Sequence, residues 1–164
     1  KMPSTSPDAP LGVTVTIGFG NCMNSLADWL FSGKLRQFPG LRLQFAESQI
    51  GWIPYLLERA DDVWKQHGAW VTTGGEIDEA PSTYYHRQVS ACFFRDVHGV
   101  ESLHRVGVDN VMFEVDYPHS DSTWPDSAAV AAETMAGLSP EVIHKLVRGN
   151  AIRWLGLDLP EPPA

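Results

Sequence analysis

The chain repeats one pattern, in which a short apolar stretch is followed by a segment whose apolar residues recur at helical spacing. Alternating or continuous apolar residues predict strands over residues 11–19, 41–46, 89–94 and 110–115. Spacings of three and four residues predict helices over residues 21–30, 53–67, 83–88, 100–106, 127–135 and 139–147, with a last turn over 151–155. Gly68 and Gly149 are placed to end two of these helices.

This alternation predicts an α/β fold built from parallel βα units, within one domain that covers residues 1–164. Only three or four units are present, whereas a closed (β/α)₈ barrel needs about eight. Residues 1–10 hold three prolines and predict an extended arm, and residues 158–164 predict a flexible tail. Residues 71–82 have little periodicity, and we predict a surface loop that could lie over a site.

Polar side chains gather where the predicted strands end. The stretch 111–121 passes from apolar residues to Glu114, Asp116, His119 and Asp121, with Pro118 among them. Parallel strands bring their carboxyl ends to one edge of a sheet, so Glu47 and Arg95, which follow two other strands, are predicted to share a functional rim with Asp116. The alternative is that Asp116 or Asp121 only caps a turn before the next helix.

The composition narrows the class of partner. With 43% hydrophobic and 20% charged residues the chain can form a real core, and its net charge of −8 disfavours nucleic acids and anionic membranes. We therefore expect a small-molecule substrate or another protein as the partner. No apolar run is long enough to span a membrane, and the only two cysteines, Cys22 and Cys92, form no CxxC pattern. A cytoplasmic location follows as an expectation.

Three motifs resemble a known family. They are Phe113-Glu114-Val115-Asp116-Tyr117-Pro118-His119, Gly51-Trp52-Ile53-Pro54-Tyr55-Leu56-Leu57-Glu58-Arg59 and Arg148-Gly149-Asn150-Ala151. Together they resemble the metal-dependent amidohydrolases, in the branch that contains aminocarboxymuconate-semialdehyde decarboxylase and related aromatic-acid decarboxylases. The resemblance implies the C-terminal half of a (β/α)₈ barrel. It also implies a divalent metal, usually zinc, and either hydrolysis or non-oxidative decarboxylation.

The resemblance assigns roles to three residues, and two more residues are candidates for the site. Asp116 matches the aspartate at the end of the last barrel strand, which approaches the metal and its water, so Asp116 is the predicted metal ligand and acid/base group. Glu47 stands where many relatives have a histidine, and it is predicted to assist as an acid/base group. His119 either contacts a substrate carboxylate or supports Asp116. Arg95 and Trp52 are further candidates for substrate binding.

Several metal ligands of the family have no counterpart in this chain. The family's first strand supplies a His-x-His pair and a middle strand supplies another histidine, but no histidine precedes His67 here and none forms His-x-His. His86 and His98 are predicted in loops, whereas His104 and His144 are predicted on or near helices, where a packed or solvated role is favoured. One carboxylate and one neighbour are too few for a zinc site.

These departures leave several hypotheses open. We expect the chain to begin just after the middle strand of the barrel. Three explanations are open: the chain is a fragment of a longer product, another chain supplies the remainder of the barrel, or the half-barrel serves another purpose. The leading hypothesis is the C-terminal portion of a metal-dependent hydrolase or decarboxylase for a small carboxylated substrate, such as an aromatic acid. One alternative is an inactive half-barrel that acts through homo-oligomerisation or a partner chain. Another is a small-ligand binding module that uses the same rim.

Overall fold

A computed structural model describes residues 4–71 and 77–160 of the chain, with the backbone alone described at residues 69–71. Helices alternate with strands through most of the described chain. The elements in order are α1 (Leu11–Thr16), α2 (Gly20–Phe31), α3 (Lys34–Gln37), β1 (Leu43–Phe45), α4 (Ile53–Val71), α5 (Pro81–Gln88), β2 (Val89–Phe93), α6 (Val97–Glu101), α7 (Leu103–Val106), β3 (Val111–Phe113), α8 (Ser127–Thr134), α9 (Pro140–His144) and α10 (Asn150–Leu155).

The three described strands form one parallel sheet in the order β1-β2-β3. Phe45 of β1 is in register with Ala91 of β2, and Phe93 of β2 is in register with Phe113 of β3. Every residue of β2 is buried, as expected for a central strand of a parallel sheet. Since all three strands run the same way, the residues that follow them emerge at one edge.

The two faces of this sheet differ in polarity. One face carries Phe45, Ala91, Phe93 and Phe113, which belong to or pack against the hydrophobic core that the helices cover. The other face carries a hydrogen-bonded polar chain: the Ser90 hydroxyl donates to the Gln44 side-chain carbonyl, and Gln44 Nε2 donates to the Cys92 thiol at 2.9 Å. A fully buried parallel strand is usually apolar on both sides, so this polar face distinguishes the sheet.

Helix α4 is built as its periodicity predicted. Ile53, Leu57 and Ala60 recur at helical spacing and are buried against the core, where Leu26 of α2 also lies. Helix α5 begins with Pro81 in its first turn, where the missing N–H of proline has no helical partner to lose. Its Tyr84 and Tyr85 are fully shielded from solvent.

Two buried asparagines connect the elements around β3 through side-chain hydrogen bonds. Asn110 Nδ2 donates to the Val89 carbonyl at 2.8 Å, which ties the turn before β3 to the start of β2. Asn150 Nδ2 donates to the carbonyls of Val108 and Val111, each at 2.7 Å. Asn150 belongs to the Arg148-Gly149-Asn150-Ala151 motif, and its position indicates that this part of the motif has a structural role.

Most predicted elements are confirmed, with some different boundaries. Helix α9 continues through a π-helical turn, Lys145–Gly149, into α10, so Gly149 does not end a helix. Helix α4 likewise runs past Gly68 to Val71. The predicted helix 100–106 is two short helices that meet at Ser102, and α6 starts earlier than predicted, at Val97, where the Asp96 side chain caps it. Strand β3 is shorter than predicted, although Glu114 N–H still donates to the Phe93 carbonyl at 2.9 Å.

One predicted strand is wrong. Residues 11–16 of the predicted strand 11–19 form α1, in which no residue is buried. A β-branched stretch favours a strand only where it packs on a pleated, partly buried surface with a neighbouring strand. Here the Thr16 hydroxyl instead donates to the Gly12 carbonyl at 2.6 Å, a bond that closes a helical turn.

The predicted loop 71–82 is described only in part, since residues 72–76 lie outside the described residues. Within the remainder, Asp78 pairs with Arg36 at 3.1 Å and accepts a hydrogen bond from the Tyr84 hydroxyl at 2.6 Å. Burial of Ile77 adds an apolar contact to the core. These contacts attach the end of the loop to α3 and α5. In the predicted tail 158–164, residues 161–164 also lie outside the described residues.

Candidate metal centre

Glu47, Asp116 and His119 converge beyond the carboxyl ends of β1 and β3. One ligand atom from each of the three side chains lies within 4.8 Å of the others. His119 Nδ1 and Asp116 Oδ2 are 2.8 Å apart and hydrogen-bonded. Asp116 is the more buried partner, with 15% of its side chain exposed against 58% for His119. The sequence prediction that these strand ends meet is therefore realised for Glu47 and Asp116.

Both carboxylates stand on left-handed backbone. The φ angles are 51° at Glu47 and 59° at Asp116, a region that glycine adopts freely, asparagine and aspartate occasionally, and other residues rarely. Each of these residues is held by hydrogen bonds. Glu47 N–H donates to the Glu114 carboxylate at 2.9 Å, and the Asp116 carbonyl accepts from His119 N–H at 2.9 Å. Sparse backbone conformations of this kind are found at functional sites, where the surrounding structure fixes them.

The Glu114 carboxyl links the candidate centre to the polar face of the sheet. It hydrogen-bonds with the Cys92 thiol, which continues the chain from Ser90 and Gln44. The pKa of Glu114 is raised to about 7, chiefly by burial and in smaller part by the nearby carboxylates of Asp116 and Glu47. Burial likewise raises the pKa of Cys92 to about 12, with Glu114 adding to the effect.

The electrostatics of His119 follow from its neighbour. The hydrogen bond and charge of Asp116 raise the pKa of the His119 imidazole, and the carboxylates of Glu47 and Asp121 act in the same direction. The protonated imidazolium is therefore favoured beside Asp116. A cation that binds His119 would displace the proton from the nitrogen that it uses, because only a neutral imidazole nitrogen is a ligand.

An aromatic pair flanks these groups. The rings of Tyr117 and Trp124 meet edge to face with their centroids 5.3 Å apart, and the two residues are 65% and 62% exposed. The loop that carries them is held by Thr123, whose N–H donates to the Val115 carbonyl at 3.0 Å. The site thus presents carboxylates, an imidazole and an apolar aromatic surface together.

A family model described as amidohydrolase matches residues 9–157 of the chain. The chain belongs to the amidohydrolase family. The family predicted from the three sequence motifs is confirmed by this match. No curated protein matches the sequence significantly.

Solved structures of amidohydrolases and decarboxylases share the fold. The amidohydrolase of Mycobacterium avium subsp. paratuberculosis K-10 has a TM-score of 0.75 at 19% identity, over 90% of this chain and 36% of that one. The 5-carboxyvanillate decarboxylase of Sphingomonas paucimobilis has a TM-score of 0.68 at 21% identity, over 96% and 45%. The dihydroxybenzoic acid decarboxylase of Polaromonas sp. JS666, with bound manganese and the inhibitor 2-nitroresorcinol, has a TM-score of 0.65 at 18% identity, over 85% and 41%.

The chain therefore spans less than half the length of these structures. The parallel sheet and the shared fold confirm the predicted fold class, parallel βα units that form part of a (β/α)₈ barrel. In the part of the chain that the structure describes, no helix combines the length and apolar character needed to cross a bilayer.

The donors of the candidate centre fit a divalent cation of the amidohydrolase family. Two carboxylates and an imidazole offer oxygen and nitrogen ligands, which zinc and manganese both accept. Ligands of one such cation lie within about 4 Å of each other, because metal–oxygen and metal–nitrogen bonds are about 2.1 Å long. The observed separation of up to 4.8 Å needs only a small side-chain adjustment. Three donors is also the usual number of protein ligands in a catalytic zinc site.

Among the described residues, no hydrogen bond or ion pair joins Trp52 or Arg95 to this cluster. The Trp52 indole donates to the Ser48 carbonyl at 2.8 Å and packs against the core, so its N–H has a partner within its own loop. Arg95 is exposed at the end of β2. His86 lies at the end of α5, at the opposite end of the sheet, and His98 lies in α6. Substrate binding by Trp52 and Arg95 stays a prediction.

The acid after β2 has a role that sequence reasoning missed. Asp96 Oδ2 accepts hydrogen bonds from the N–H groups of Ile50 and Gly51, each at 2.7 Å, and Oδ1 accepts one from Gly99 N–H at 2.8 Å. Asp96 therefore joins the loop after β1 to α6. The signal in the sequence was the pair of glycines: a Cβ at Gly51 would lie 2.8 Å from Asp96 Oδ1, and one at Gly99 would lie 2.3 Å from Ile50.

Proposed function

We propose that the chain supplies part of the active site of a metal-dependent enzyme of the amidohydrolase family. The observation that carries the proposal is the convergence of Glu47, Asp116 and His119 at the carboxyl edge of a parallel sheet. Active sites of (β/α)₈ enzymes lie at this edge. The two carboxylates and the imidazole would hold the cation, for which zinc and manganese are the candidates. A divalent cation in such a site polarises a substrate oxygen and stabilises negative charge that develops during reaction.

The proposed reaction is non-oxidative decarboxylation of a small aromatic acid, with hydrolysis as the other reaction of this family. Support comes from the 5-carboxyvanillate and dihydroxybenzoic acid decarboxylases that share the fold, and from the exposed Tyr117–Trp124 pair beside the carboxylates. Aromatic side chains stack against a substrate ring edge to face or offset, which positions the ring without a charge.

The residues of this chain have distinct parts in the proposed mechanism. Asp116 Oδ2, 2.8 Å from His119 Nδ1, orients the His119 imidazole, which would hold the cation in its neutral form. Glu47 would hold the cation through one carboxyl oxygen, and its second carboxyl oxygen would accept or donate a proton. The Glu114 carboxylate accepts a hydrogen bond from Glu47 N–H. This bond fixes the backbone of Glu47 and so directs the Glu47 carboxyl toward the centre.

Metal binding tests the proposal directly. The purified chain is titrated with Mn²⁺, which replaces zinc in many oxygen–nitrogen sites, and free ion is followed by electron paramagnetic resonance. We expect saturable binding of one ion, which Asp116→Asn weakens at least about tenfold. Asp121→Asn is the matched control, because it removes an exposed carboxylate of the same loop that lies outside the cluster. Binding that Asp116→Asn and Asp121→Asn weaken equally would contradict the proposed ligand set.

A second candidate function, an inactive half-barrel that acts by association, has one observation in its favour. Within the described sheet, β1 and β3 are each paired on one side only, which leaves two strand edges. A second copy of the chain or the remainder of a barrel would cover them. Size-exclusion chromatography with light scattering distinguishes these cases, since a stable monomer that binds Mn²⁺ contradicts the association model.

A further inference from the structure

A cavity lies at the end of the sheet opposite to the candidate metal centre. Its volume is about 150 Å³, and Arg42, His86, Arg87, Asp109 and Arg153 contribute to its lining. Arg42 precedes β1 and Asp109 precedes β3, whereas Glu47 and Asp116 follow those strands. The cavity and the metal centre are thus separated by the length of the sheet.

The cavity concentrates positive charge in an acidic chain. The net charge of the chain is −8, yet three of its twelve basic residues line this one space. Arg87 is neutralised by Glu79 at 2.9 Å. Asp109, the one carboxylate of the lining, pairs with Lys145 at 3.1 Å and approaches Arg153 at 3.8 Å. The positive charges of Arg42, Arg153 and Lys145 therefore outnumber the single negative charge of Asp109.

Arg42 and Arg153 use few of their donors. Arg42 donates through Nη1 alone, to the carbonyls of Arg153 and Trp154 at 3.4 and 3.2 Å. Arg153 donates through Nη2 alone, to the Asp109 carbonyl and to Asn150 Oδ1, the latter at 3.1 Å. A guanidinium carries five N–H groups. The other nitrogens of both groups have no protein acceptor among residues 4–71 and 77–160.

These few bonds also hold the guanidinium groups in place. The Arg42 guanidinium lies over the Trp154 ring, 5.4 Å from its centroid, and Arg153 is anchored to the turn before β3. A fixed guanidinium loses less entropy when it binds an anion than a free surface side chain does. Its planar fork matches two oxygens of a phosphate or sulfate group.

The size of the cavity limits what it holds. Since a water molecule occupies about 30 Å³ in the liquid, 150 Å³ corresponds to about five waters. This space accommodates one tetrahedral oxyanion with its remaining hydration.

We propose that this cavity binds a small tetrahedral oxyanion of the phosphate or sulfate class through Arg42 and Arg153. The oxyanion is either a free ion or the terminal group of a phosphomonoester, since both present the same oxygens to the arginines. Binding at this end of the sheet stabilises the folded chain, because the ligand holds together the start of β1 and the end of α10, from which the two arginines come.

The test is a titration of the full 164-residue chain with inorganic phosphate. Sodium chloride at equal ionic strength serves as the reference, and binding is followed by the thermal midpoint and by ³¹P line broadening. We expect a saturable rise of the midpoint with phosphate, and at least a tenfold weaker affinity in Arg153→Gln. Arg59→Gln is the control, because Arg59 pairs with Asp62 on the exposed face of α4. Phenyl phosphate is the second ligand, and tighter binding than phosphate identifies a monoester as the ligand.

Arg42 also bonds two carbonyls at the end of α10, so its loss could unfold the chain. Arg42→Lys is measured beside Arg42→Gln for this reason, because lysine keeps the charge and a donor but lacks the fork. We expect Arg42→Lys to fold and to bind phosphate more weakly than the wild type. The proposal is overturned if chloride raises the midpoint as much as phosphate does. It is equally overturned if Arg153→Gln and Arg42→Lys bind phosphate as tightly as Arg59→Gln.

Discussion

The Glu114 carboxylate and the Glu47 backbone N–H are joined by a 2.9 Å hydrogen bond that passes across the end of β2. This bond holds Glu47 at a φ of 51° and connects the outer strands of the described sheet at the candidate centre. Removing the acceptor would leave the Glu47 N–H unpaired in a conformation that is already unfavourable.

Glu114→Leu and Glu114→Gln separate the role of this acceptor from that of the charge. Glutamine retains a carbonyl oxygen that can accept from Glu47 N–H, whereas leucine has none. We expect Glu114→Leu to weaken Mn²⁺ binding about tenfold or more and Glu114→Gln to weaken it much less. Circular dichroism checks that both variants fold. If both weaken binding equally while folded, the hydrogen bond does not position Glu47.

Glu114 also predicts a dependence of stability on pH. Its pKa is about 7 in the folded chain and near 4.5 when unfolded, so between these values the folded state binds more protons than the unfolded state. Stability should therefore fall as the pH rises from 4.5 to 7, and this contribution should be constant outside that window. Glutamine does not titrate, so the stability of Glu114→Gln relative to wild type should increase across the same window.

Urea unfolding at intervals from pH 4 to 8 measures this difference. The measurements are made with a chelator, because a bound cation would stabilise the ionised carboxylate. If the difference in unfolding free energy between Glu114→Gln and wild type does not change with pH, the pKa of Glu114 is the same in the folded and unfolded states.

The three hydrogen bonds to Asp96 predict a large effect of its removal. Asp96→Ala leaves the N–H groups of Ile50, Gly51 and Gly99 without their acceptor, and we expect a loss of about 3 kcal/mol in the free energy of unfolding. Asp121→Ala removes an exposed carboxylate and should change stability by less than about 0.5 kcal/mol. Urea denaturation of both variants provides the comparison, and equal effects would contradict the role given to Asp96.

Substitution by alanine should change the stability of the chain in opposite directions at two glycines. At Gly99 the added Cβ would lie 2.3 Å from Ile50 and 2.8 Å from Asp96, so Gly99→Ala should destabilise the chain by about 2 kcal/mol or more. At Gly68, inside α4, the Cβ would meet nothing within 4 Å, and Gly68→Ala should stabilise it by about 0.5–1 kcal/mol. Thermal unfolding distinguishes the two, and a stabilising Gly99→Ala would refute the close approach.

The Cys92 thiol should be unreactive in the folded chain. Burial beside Glu114 raises its pKa to about 12, so very little thiolate is present at pH 8. In Cys22→Ser, which leaves Cys92 as the single cysteine, a thiol reagent should label the native chain at least about a hundredfold more slowly than the urea-unfolded chain. Comparable rates in the two states would mean that the polar face of the sheet is open to solvent.

The fold was predictable where local pattern and tertiary environment agree. The strands at 41–46, 89–94 and 110–115 and the helix that starts at Ile53 have apolar residues at the spacing that their buried faces require. The stretch 11–19 has a strand pattern as well, but α1 has no buried residue, and the one sheet of the described residues contains only β1, β2 and β3. The alternation of Val13 and Val15 with threonines could not reveal that a neighbour was missing.

The candidate site was predictable in part. Strand ends in a parallel sheet meet at one edge, so Glu47 and Asp116 could be placed together from sequence alone. The bond from Glu47 to Glu114 could not, because it joins residues 67 positions apart and depends on backbone angles that no pattern specifies. The same limit applies to Asp96. Its neighbour Arg95 was predicted as the site residue, because the sequence does not show which of the two side chains bonds to the loop after β1.

The bonds of Asp96 have a consequence for redesign of the site. Because one carboxylate holds the start of α6 and the turn at Ile50 and Gly51, the connections that follow β1 and β2 behave as one bonded unit. A length change or graft in either connection would displace the other. Residues 117–126, after β3, are free of this coupling, so a new specificity is best introduced there, while the first two connections must be exchanged as a pair.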